Sequence, residues 1–310
     1  MKGEWTEATK EKSCPKCGRD HFCLIGKVAV LCTRIESEKP NKAGYGWYHP
    51  LDEFASIAYV PKPKERRVSD AELHARWTAI LQDCGSHPEK IGELADQLGV
   101  APLALNILGV EWDSRQWLIP MKNHRCLITG LATRWKNGTK MVVTDSRCGL
   151  VYGSNWLDYP GPIYIVEGPS DTAAALTLHL CVIGRPSNIG GVELLVRMLG
   201  RINRKIIVIA ERDHKHHDDL AEVVRKQHDP ACRGCLRCWP GLGGAKHTAD
   251  AMWKRLHRVV EWAFVPRPHK DLRAWLNAQK IDVTNTAACV RVGQSLMRRI
   301  KPINSMREIT

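Results

Sequence analysis

Hydrophobic residues between positions 161 and 280 come in short continuous runs that alternate with amphipathic segments. Apolar runs such as IYIVE, CVIGR, KIIVIA and EWAFVP are typical of strands that are buried on both faces of a sheet. Between them, segments such as TAAALTLHL and GVELLVRML place apolar residues at helical spacing. The alternation predicts an α/β fold, in which helices flank a mainly parallel sheet.

The hydrophobic pattern upstream of residue 161 is different. Apolar residues fall on one face of three predicted helices, at 69–84, 91–98 and 102–108. Short strand-like runs follow, and Asn137-Gly138 between two of them is a strong hairpin signal. Prolines and charges mark a linker. The predicted order is an N-terminal metal ribbon at 1–50, the linker at 51–68, an α+β basic subdomain at 69–158, the α/β domain at 159–285 and a basic tail at 286–310.

The composition has an excess of positive charge, and binding to a polyanionic partner is one explanation of it. The chain has 310 residues and a net charge of +13, from 46 Lys and Arg against 33 Asp and Glu. Such a balance indicates nucleic acid binding or a generally solvated basic surface. Neither a signal peptide nor a run of about 20 apolar residues is present, so we expect a cytoplasmic protein without membrane contact.

Twelve cysteines in that compartment favour metal sites and buried thiols over disulfides. Residues 14–32 read CPKCGRDHFCLIGKVAVLC. Two thiol pairs joined by a hairpin suit tetrahedral Zn²⁺, and His21 could replace one thiol. The alternative is four unrelated cysteines. The predicted zinc ligands are Cys14, Cys17, Cys23 and Cys32.

A second group of cysteines interrupts the α/β pattern at 228–244. Its CxxCxxC spacing offers three thiolates, and a fourth ligand would come from a nearby histidine. An iron–sulfur cluster and three free thiols are the alternatives. The candidate ligands of this second site are Cys232, Cys235, Cys238 and His228.

Carboxylates follow two of the predicted buried strands. Glu167 ends the run IYIVE, and Glu211 and Asp213 follow the run KIIVIA. Open α/β sheets bind ligands at the carboxyl ends of their strands, and hard oxygens suit Mg²⁺ or Mn²⁺. We therefore predict a metal site at this edge. Ser170 or Asp171 is expected to cap a helix that follows at 172–180.

Basic residues surround the predicted hairpin turn. Arg134 and Lys136 precede it and Lys140 follows it. They could hold a nucleotide triphosphate or a template phosphate, or they could be a solvated hairpin edge.

Together these motifs resemble a known family. EGPSDTAAA, the loop GRPSN and the second strand with its carboxylate pair resemble the Toprim domain of primases, topoisomerases and related nucleases. The ribbon CPKCGRDHFC with LCTR resembles the zinc-binding domain of bacterial- and phage-type DNA primases. The segment between them is similar to the N-terminal half of the primase core, and the resemblance covers about residues 14–280. No helicase ATPase follows, and Glu211-Arg212-Asp213 replaces the usual Asp-x-Asp.

The resemblance implies a DNA primase that makes short RNA primers by metal-dependent nucleotidyl transfer. Its partners would be single-stranded DNA, ribonucleoside triphosphates and a replicative helicase, and its cofactors Zn²⁺ with Mg²⁺ or Mn²⁺. Glu211 and Asp213 would hold the metal, Glu167 would be a ligand or proton acceptor, and Asp171 would orient the site. The implied nucleotide- or template-binding residues are Arg134, Lys136, Lys140, Arg185 and Lys270. A Toprim nuclease and a non-catalytic zinc-dependent nucleic-acid-binding protein are the rivals.

Overall fold

A computed structural model describes residues 5–41, 46–51, 68–213 and 238–304 of the chain. The chain forms two compact units, residues 1–67 and 68–310. The first unit is a small antiparallel sheet whose core contains Ile25, Val30 and buried cysteines. Its strands are β1 (Thr6–Glu7), β2 (Leu24–Ile25), β3 (Ala29–Cys32) and β4 (Trp47–Pro50).

Three helices open the second unit, as their hydrophobic periodicity predicts. They are α1 (Asp70–Asp83), α2 (Pro88–Leu98) and α3 (Pro102–Leu108). Ser69 caps α1 by accepting a hydrogen bond from the Glu72 N–H, and the Glu72 carboxylate accepts one from the Ser69 N–H. Helices α2 and α3 begin at prolines and end at Gly99 and Gly109, whose φ values of +66° and +75° favour glycine.

An antiparallel sheet follows these helices. Its strands, in spatial order, are β5 (Glu111–Trp112), β6 (Gln116–Lys122), β7 (Ile128–Trp135) and β8 (Lys140–Val142). Gly138, with a φ of +86°, lies in the predicted turn between β7 and β8. Leu118 and Leu131 pack against Leu73 and Trp77 of α1, so one face of this sheet is covered by that helix.

The α/β sheet has the predicted parallel core, which confirms the fold class. Strands β9 (Ile163–Glu167), β10 (Val182–Arg185), β11 (Ile206–Ala210) and β12 (Glu261–Phe264) are parallel, and β13 (Ile303–Asn304) is antiparallel to β12. Their spatial order is β10-β9-β11-β12-β13. Among the described residues of this part, the helices are α4 (Gly168–Thr177), α5 (Val192–Leu199), α6 (Pro240–Leu256), α7 (Leu272–Ala278) and α8 (Thr286–Arg299).

A hydrogen-bonded seam joins the two sheets of the second unit. Leu150 exchanges both backbone hydrogen bonds with Lys122 of β6, at 2.7 and 2.8 Å. The next residue, Val151, exchanges both with Gly184 of β10, each at 2.8 Å. One short segment, which we call the seam, therefore ties the antiparallel sheet to the parallel sheet.

Three expectations from the sequence are wrong. Helix α4 begins at Gly168, directly after β9, so neither Ser170 nor Asp171 caps it. Helix α6 begins at Pro240, so the last residues of the expected interruption at 228–244 are helical. The expected tail at 286–310 instead contains α8, whose Gly293 lies against Leu178, and strand β13. In the last two cases glycines lie in closely packed helices, Gly241 and Gly244 in α6 and Gly293 in α8.

In the described part of the chain, no helix combines the length and the apolar character needed to cross a membrane.

Candidate active site and thiol cluster

Four thiols of the first unit converge. The sulfur atoms of Cys14, Cys17, Cys23 and Cys32 all lie within 4.8 Å of one another. The CPKCG turn that carries the first two is closed by a hydrogen bond of 2.8 Å from the Gly18 N–H to the Cys14 carbonyl, with Gly18 at a φ of +69°. Cys23 directly precedes β2 and Cys32 ends β3, so the hairpin brings the other two thiols together, as the pattern predicts.

The chemistry of this cluster fits Zn²⁺. Burial raises the pKa of Cys14 to about 12 and also raises the pKa of Cys32. Burial acts in the same direction on Cys17, but a hydrogen bond from the Arg19 N–H and contacts with the other thiols lower its pKa to about 7. Backbone donors also reach the sulfurs, including the Ile35 N–H at 3.4 Å from Cys32 Sγ. One thiolate thus forms readily, and four sulfurs surround one point.

His21 is not part of the cluster. Its Nδ1 lies 2.6 Å from Asp20 Oδ1, and its Nε2 lies 3.1 Å from a nitrogen of Arg34. Both ring nitrogens are therefore engaged at the surface. Of the second cysteine group, His228, Cys232 and Cys235 lie outside the described residues, whereas Cys238 is buried just before α6.

Glu167 and Glu211 line one cavity of about 420 Å³ at the carboxyl ends of β9 and β11. The two strands are parallel neighbours, so their ends lie side by side. The side chain of Glu167 is 30% exposed and that of Glu211 is 18% exposed. The two carboxylates belong to one site, although within the described ranges no group of three carboxylates converges as the four thiols do.

Burial and nearby negative charges raise the pKa of both carboxyls. Burial, followed by the negative charge of Glu167, raises the pKa of Glu211 to about 6. Burial also raises the pKa of Glu167, and the positive charge of Arg185 opposes that rise only in part. A cation between the two strand ends would relieve this repulsion. Lys270 Nζ, 3.5 Å from Glu211 Oε2, supplies part of that charge.

Asp213 links the site to helix α6. Its Oδ1 accepts a hydrogen bond of 2.7 Å from the Gly241 N–H in the first turn of that helix. A Cβ atom on Gly241 would lie 2.5 Å from Asp213 Oδ1 and 2.6 Å from the Glu211 carbonyl oxygen. The glycine is therefore required by the close approach of the helix to the carboxylate pair.

Asp171 caps a helix distant in sequence. Its carboxylate is buried and accepts hydrogen bonds of 3.2 Å from the N–H groups of Leu272 and Arg273, at the start of α7. Burial, and then the negative charges of Asp271 and Glu211, raises the pKa of Asp171 to about 7. Asp171 thus holds the segment that carries Lys270, which is an indirect way of orienting the site.

Arg185 lies beneath the site and is fully buried. The structure therefore does not present it to a nucleotide, contrary to the expectation from the sequence. Its Nη1 donates to the Asn188 carbonyl oxygen, and at 2.9 Å to Thr248 Oγ1. Its Nη2 lies 3.9 Å from Glu167 Oε2, and neither Nε nor Nη2 has a hydrogen-bond partner among the described residues. Arg185 is therefore an electrostatic support for Glu167.

Two of the predicted basic residues line the same cavity. Arg134 of β7 and Lys140 of β8 are cross-strand partners. Burial, with a smaller effect of Arg273, lowers the pKa of Arg134, and its buried Nε has no hydrogen-bond partner in the described part of the chain. A cationic row thus lies across the cavity from the carboxylates.

Lys136 and Arg212 take other positions. Lys136 Nζ lies 3.5 Å from Glu93 and 5.4 Å from the centre of the Trp112 ring, outside the cavity lining. The Arg212 guanidinium donates to the Val265 carbonyl at 2.6 Å and stacks on Phe264.

The prediction missed Gly241, and it missed the apolar lining of the cavity. The motif GLGG was the available signal for the glycine.

Comparison with known proteins gives structures but no sequence match. No family model and no curated protein matches the chain. The zinc-binding and RNA polymerase domains of Aquifex aeolicus primase match at 13% identity and a TM-score of 0.49, over 78% of this chain and 64% of that one. The E. coli primase catalytic core matches at 13% identity and a TM-score of 0.45, over 75% and 80%.

The primase fragment of the bacteriophage T7 primase-helicase protein matches at 12% identity and a TM-score of 0.35, over 91% of this chain and 99% of that one. All three are primases, the family that the sequence motifs resemble. The chain spans less than two thirds of the Aquifex structure. At these identities and TM-scores, the function must be argued from the residues of this chain.

Proposed function

We propose that this chain is a DNA primase that makes short RNA primers on single-stranded DNA. The observation that carries the proposal is the cationic row of Arg134 and Lys140, which faces Glu167 and Glu211 across one cavity. Polymerising nucleotides requires hard oxygens for a divalent cation and positive charge for a triphosphate in the same place. Among enzymes with such a site, the Toprim-like motifs and the four-thiol unit favour a primase.

The residues of the cavity have separable roles in nucleotidyl transfer. The 3′-hydroxyl oxygen of the growing primer forms a bond to the α-phosphorus, the bond between that phosphorus and the bridging oxygen breaks, and pyrophosphate leaves. Glu167 takes the hydroxyl proton, since its raised pKa makes it a better acceptor than an exposed carboxylate. Arg134 and Lys140 hold the phosphate oxygens, and Lys270 adds positive charge beside Glu211.

The donor set fits a divalent cation. Glu211 and Asp213 would hold Mg²⁺ or Mn²⁺, because both offer carboxylate oxygens and the pKa of Glu211 is raised by burial and by the nearby Glu167. When bound, the ion neutralises charge that develops on the pyrophosphate.

The first unit would hold Zn²⁺ and contact the template. Its surface presents Phe22, 47% exposed, with the Arg34 guanidinium carbon 5.8 Å from the ring centre. Exposed Arg19 and Lys27 lie on the same small sheet unit. Aromatic rings and cations together bind single strands by stacking and by charge. A replicative helicase would present the template to it.

Primer synthesis on single-stranded templates with labelled ribonucleotides and Mg²⁺ or Mn²⁺ tests the proposal. Asp213→Asn keeps an oxygen acceptor for the Gly241 N–H while it removes the charge. We expect it to lose at least about 100-fold in primer synthesis, as is usual when a metal ligand is neutralised, with thermal stability and DNA affinity near those of the wild type.

Asp96→Ala, at an exposed position of α2, is the matched control and should keep full activity. Full primer synthesis by Asp213→Asn would refute the assignment of the site. Cleavage of labelled DNA without nucleotides would favour the nuclease. Wild-type protein that binds single-stranded DNA but neither synthesises nor cleaves would favour the non-catalytic protein.

A further inference from the structure

The cavity that holds the carboxylates has two chemically different parts. Its charged part consists of Glu167, Glu211, Arg134 and Lys140. Much of the remaining lining is hydrocarbon, from the side chains of Ile119, Met121, Ala132, Met141, Val142 and Val151. A phosphate ligand alone would use only the charged part. The lining therefore fits a ligand that carries an apolar group next to its phosphates.

Strand register places the two parts in order. Arg134 pairs with Lys140, and Ala132 pairs with Val142 on one side and Ile119 on the other. Residues two apart on a strand share a face and lie about 6–7 Å apart. An apolar row of Ile119, Ala132 and Val142 thus runs beside the cationic row, on the face opposite to Leu118 and Leu131. A nucleotide has the same order, with its sugar between phosphate and base.

The apolar row is open at its β8 end, because Ile119 is only 6% exposed and Ala132 is half-buried. Val142 is 46% exposed on β8, which is the edge strand of its sheet. Ala132, at the centre of the row, has the smallest side chain that still gives an apolar surface. None of the three side chains carries a hydrogen-bonding group, so the row offers contact area without reading the edge of a base.

We propose that the row of Ile119, Ala132 and Val142 binds the face of the nucleobase of the incoming ribonucleoside triphosphate. This assignment rests on the proposed function, because it takes the phosphates to lie at Arg134 and Lys140. The row accepts all four bases alike, since a hydrocarbon surface cannot distinguish their hydrogen-bonding groups. Selection of the base is left to pairing with the template.

Equilibrium binding to the full chain separates base contacts from phosphate contacts. The probes are the four ribonucleoside triphosphates and inorganic tripolyphosphate, each titrated calorimetrically in the presence of Mg²⁺. Val142→Ala should weaken binding of every nucleotide about three- to tenfold and leave tripolyphosphate binding unchanged. Ala132→Leu should weaken nucleotide binding further, because the larger side chain would occupy the space proposed for the base. Lys140→Ala should weaken binding of both kinds of probe.

Val259→Ala is the matched control. It makes the same truncation at a position that is 47% exposed and outside the cavity lining, and it should change neither affinity. Val142 is at an exposed edge, so its variant should fold, which a thermal melt verifies.

The results distinguish the two proposals. Unchanged nucleotide affinity in Val142→Ala, or equal affinity of the wild type for nucleotides and tripolyphosphate, would overturn the base site and leave the primase proposal standing. A loss confined to one base would also overturn it, because the row would then be reading the base. Failure of the wild type to bind any probe, or full binding of all probes by Lys140→Ala, would contradict the proposed function itself.

Discussion

Two features of its surroundings act in opposite directions on the pKa of Glu167. Burial raises its pKa, whereas Arg185 Nη2, 3.9 Å away, favours the charged form. The guanidinium is itself buried and is fixed by Asn188 and Thr248. Removing one partner of such a pair lowers the stability of the protein, because the other charge is then left in a poorly solvated place without its counter-charge. The position of Glu167 is thus determined by packing beneath the cavity.

Gly241 offers a sharp test at the scale of one residue. Gly241→Ala would place a methyl group 2.6 Å from the Glu211 carbonyl oxygen, so the carboxylate pair or helix α6 must move. We expect a loss of about 1–3 kcal/mol in the free energy of unfolding, together with at least a tenfold loss of primer synthesis. Chemical denaturation and the primer assay measure the two effects.

Gly92→Ala is the control, because that glycine lies in helix α2 with nothing within 4 Å of the added methyl group. It should be neutral or stabilise by about 0.5–1 kcal/mol. Equal behaviour of the two variants would show that α6 does not constrain the carboxylates.

At the scale of elements, Asp171 connects α4 to the start of α7. Because the pKa of Asp171 is raised to about 7 in the folded protein, the folded state binds more protons than the unfolded state between about pH 4 and pH 7. The contribution of this group to stability is therefore largest below its unfolded pKa and is lost as the pH rises towards 7. Glu211, with a pKa of about 6, acts in the same direction.

Asp171→Asn should flatten this dependence. The amide keeps an acceptor for α7 and cannot ionise, so the fall in unfolding free energy between pH 5 and pH 8 should be smaller than in the wild type. Urea denaturation at several pH values measures it, with Asp96→Asn as an exposed control. A slope as steep as that of the wild type would contradict the assigned pKa.

Elements were predictable where the pattern was local. The runs IYIVE and KIIVIA end at Glu167 and before Glu211, and the structure has strands β9 and β11 at those places. The contact of Asp171 with α7 was not predictable, since its hydrogen-bond partner Leu272 lies 101 residues away. The start of α6 was missed because glycines lower helix propensity, and only their close packing explains them, with Gly241 against Asp213 and Gly244 against Asn188.

The site followed the same division. Residue types and strand ends sufficed to place Glu167 and Glu211 together, because parallel strands share an edge. Lys140 lies on the other sheet, and only the family resemblance placed it near them. Burial was not visible in the sequence, so Arg185 was expected to contact a ligand. The partners of Lys136 were also hidden, because Glu93 and Trp112 lie on other elements.

At the scale of the whole molecule, the two units have separate cores, and only the first contains the four-thiol cluster. Cys17→Ser should lower the zinc content by one ion per chain, because one of four sulfur ligands is lost. Its thermal unfolding should lose the contribution of the first unit, while the second unit keeps its transition. Metal analysis and calorimetry measure these changes.

Cys84→Ser, at the end of α1, is the control and should keep the wild-type zinc content. Unchanged zinc content in Cys17→Ser would refute the metal site. Simultaneous loss of both transitions would show that the second unit depends on the first.

The seam of Leu150 and Val151 has a kinetic consequence. Its four backbone hydrogen bonds hold both walls of the cavity, the antiparallel sheet and the parallel sheet, in one continuous network. Parting the walls would require breaking that network, so the cavity is formed before a ligand arrives. Nucleotide association should therefore follow a single exponential whose rate constant rises linearly with nucleotide concentration, without the plateau that a preceding opening step imposes.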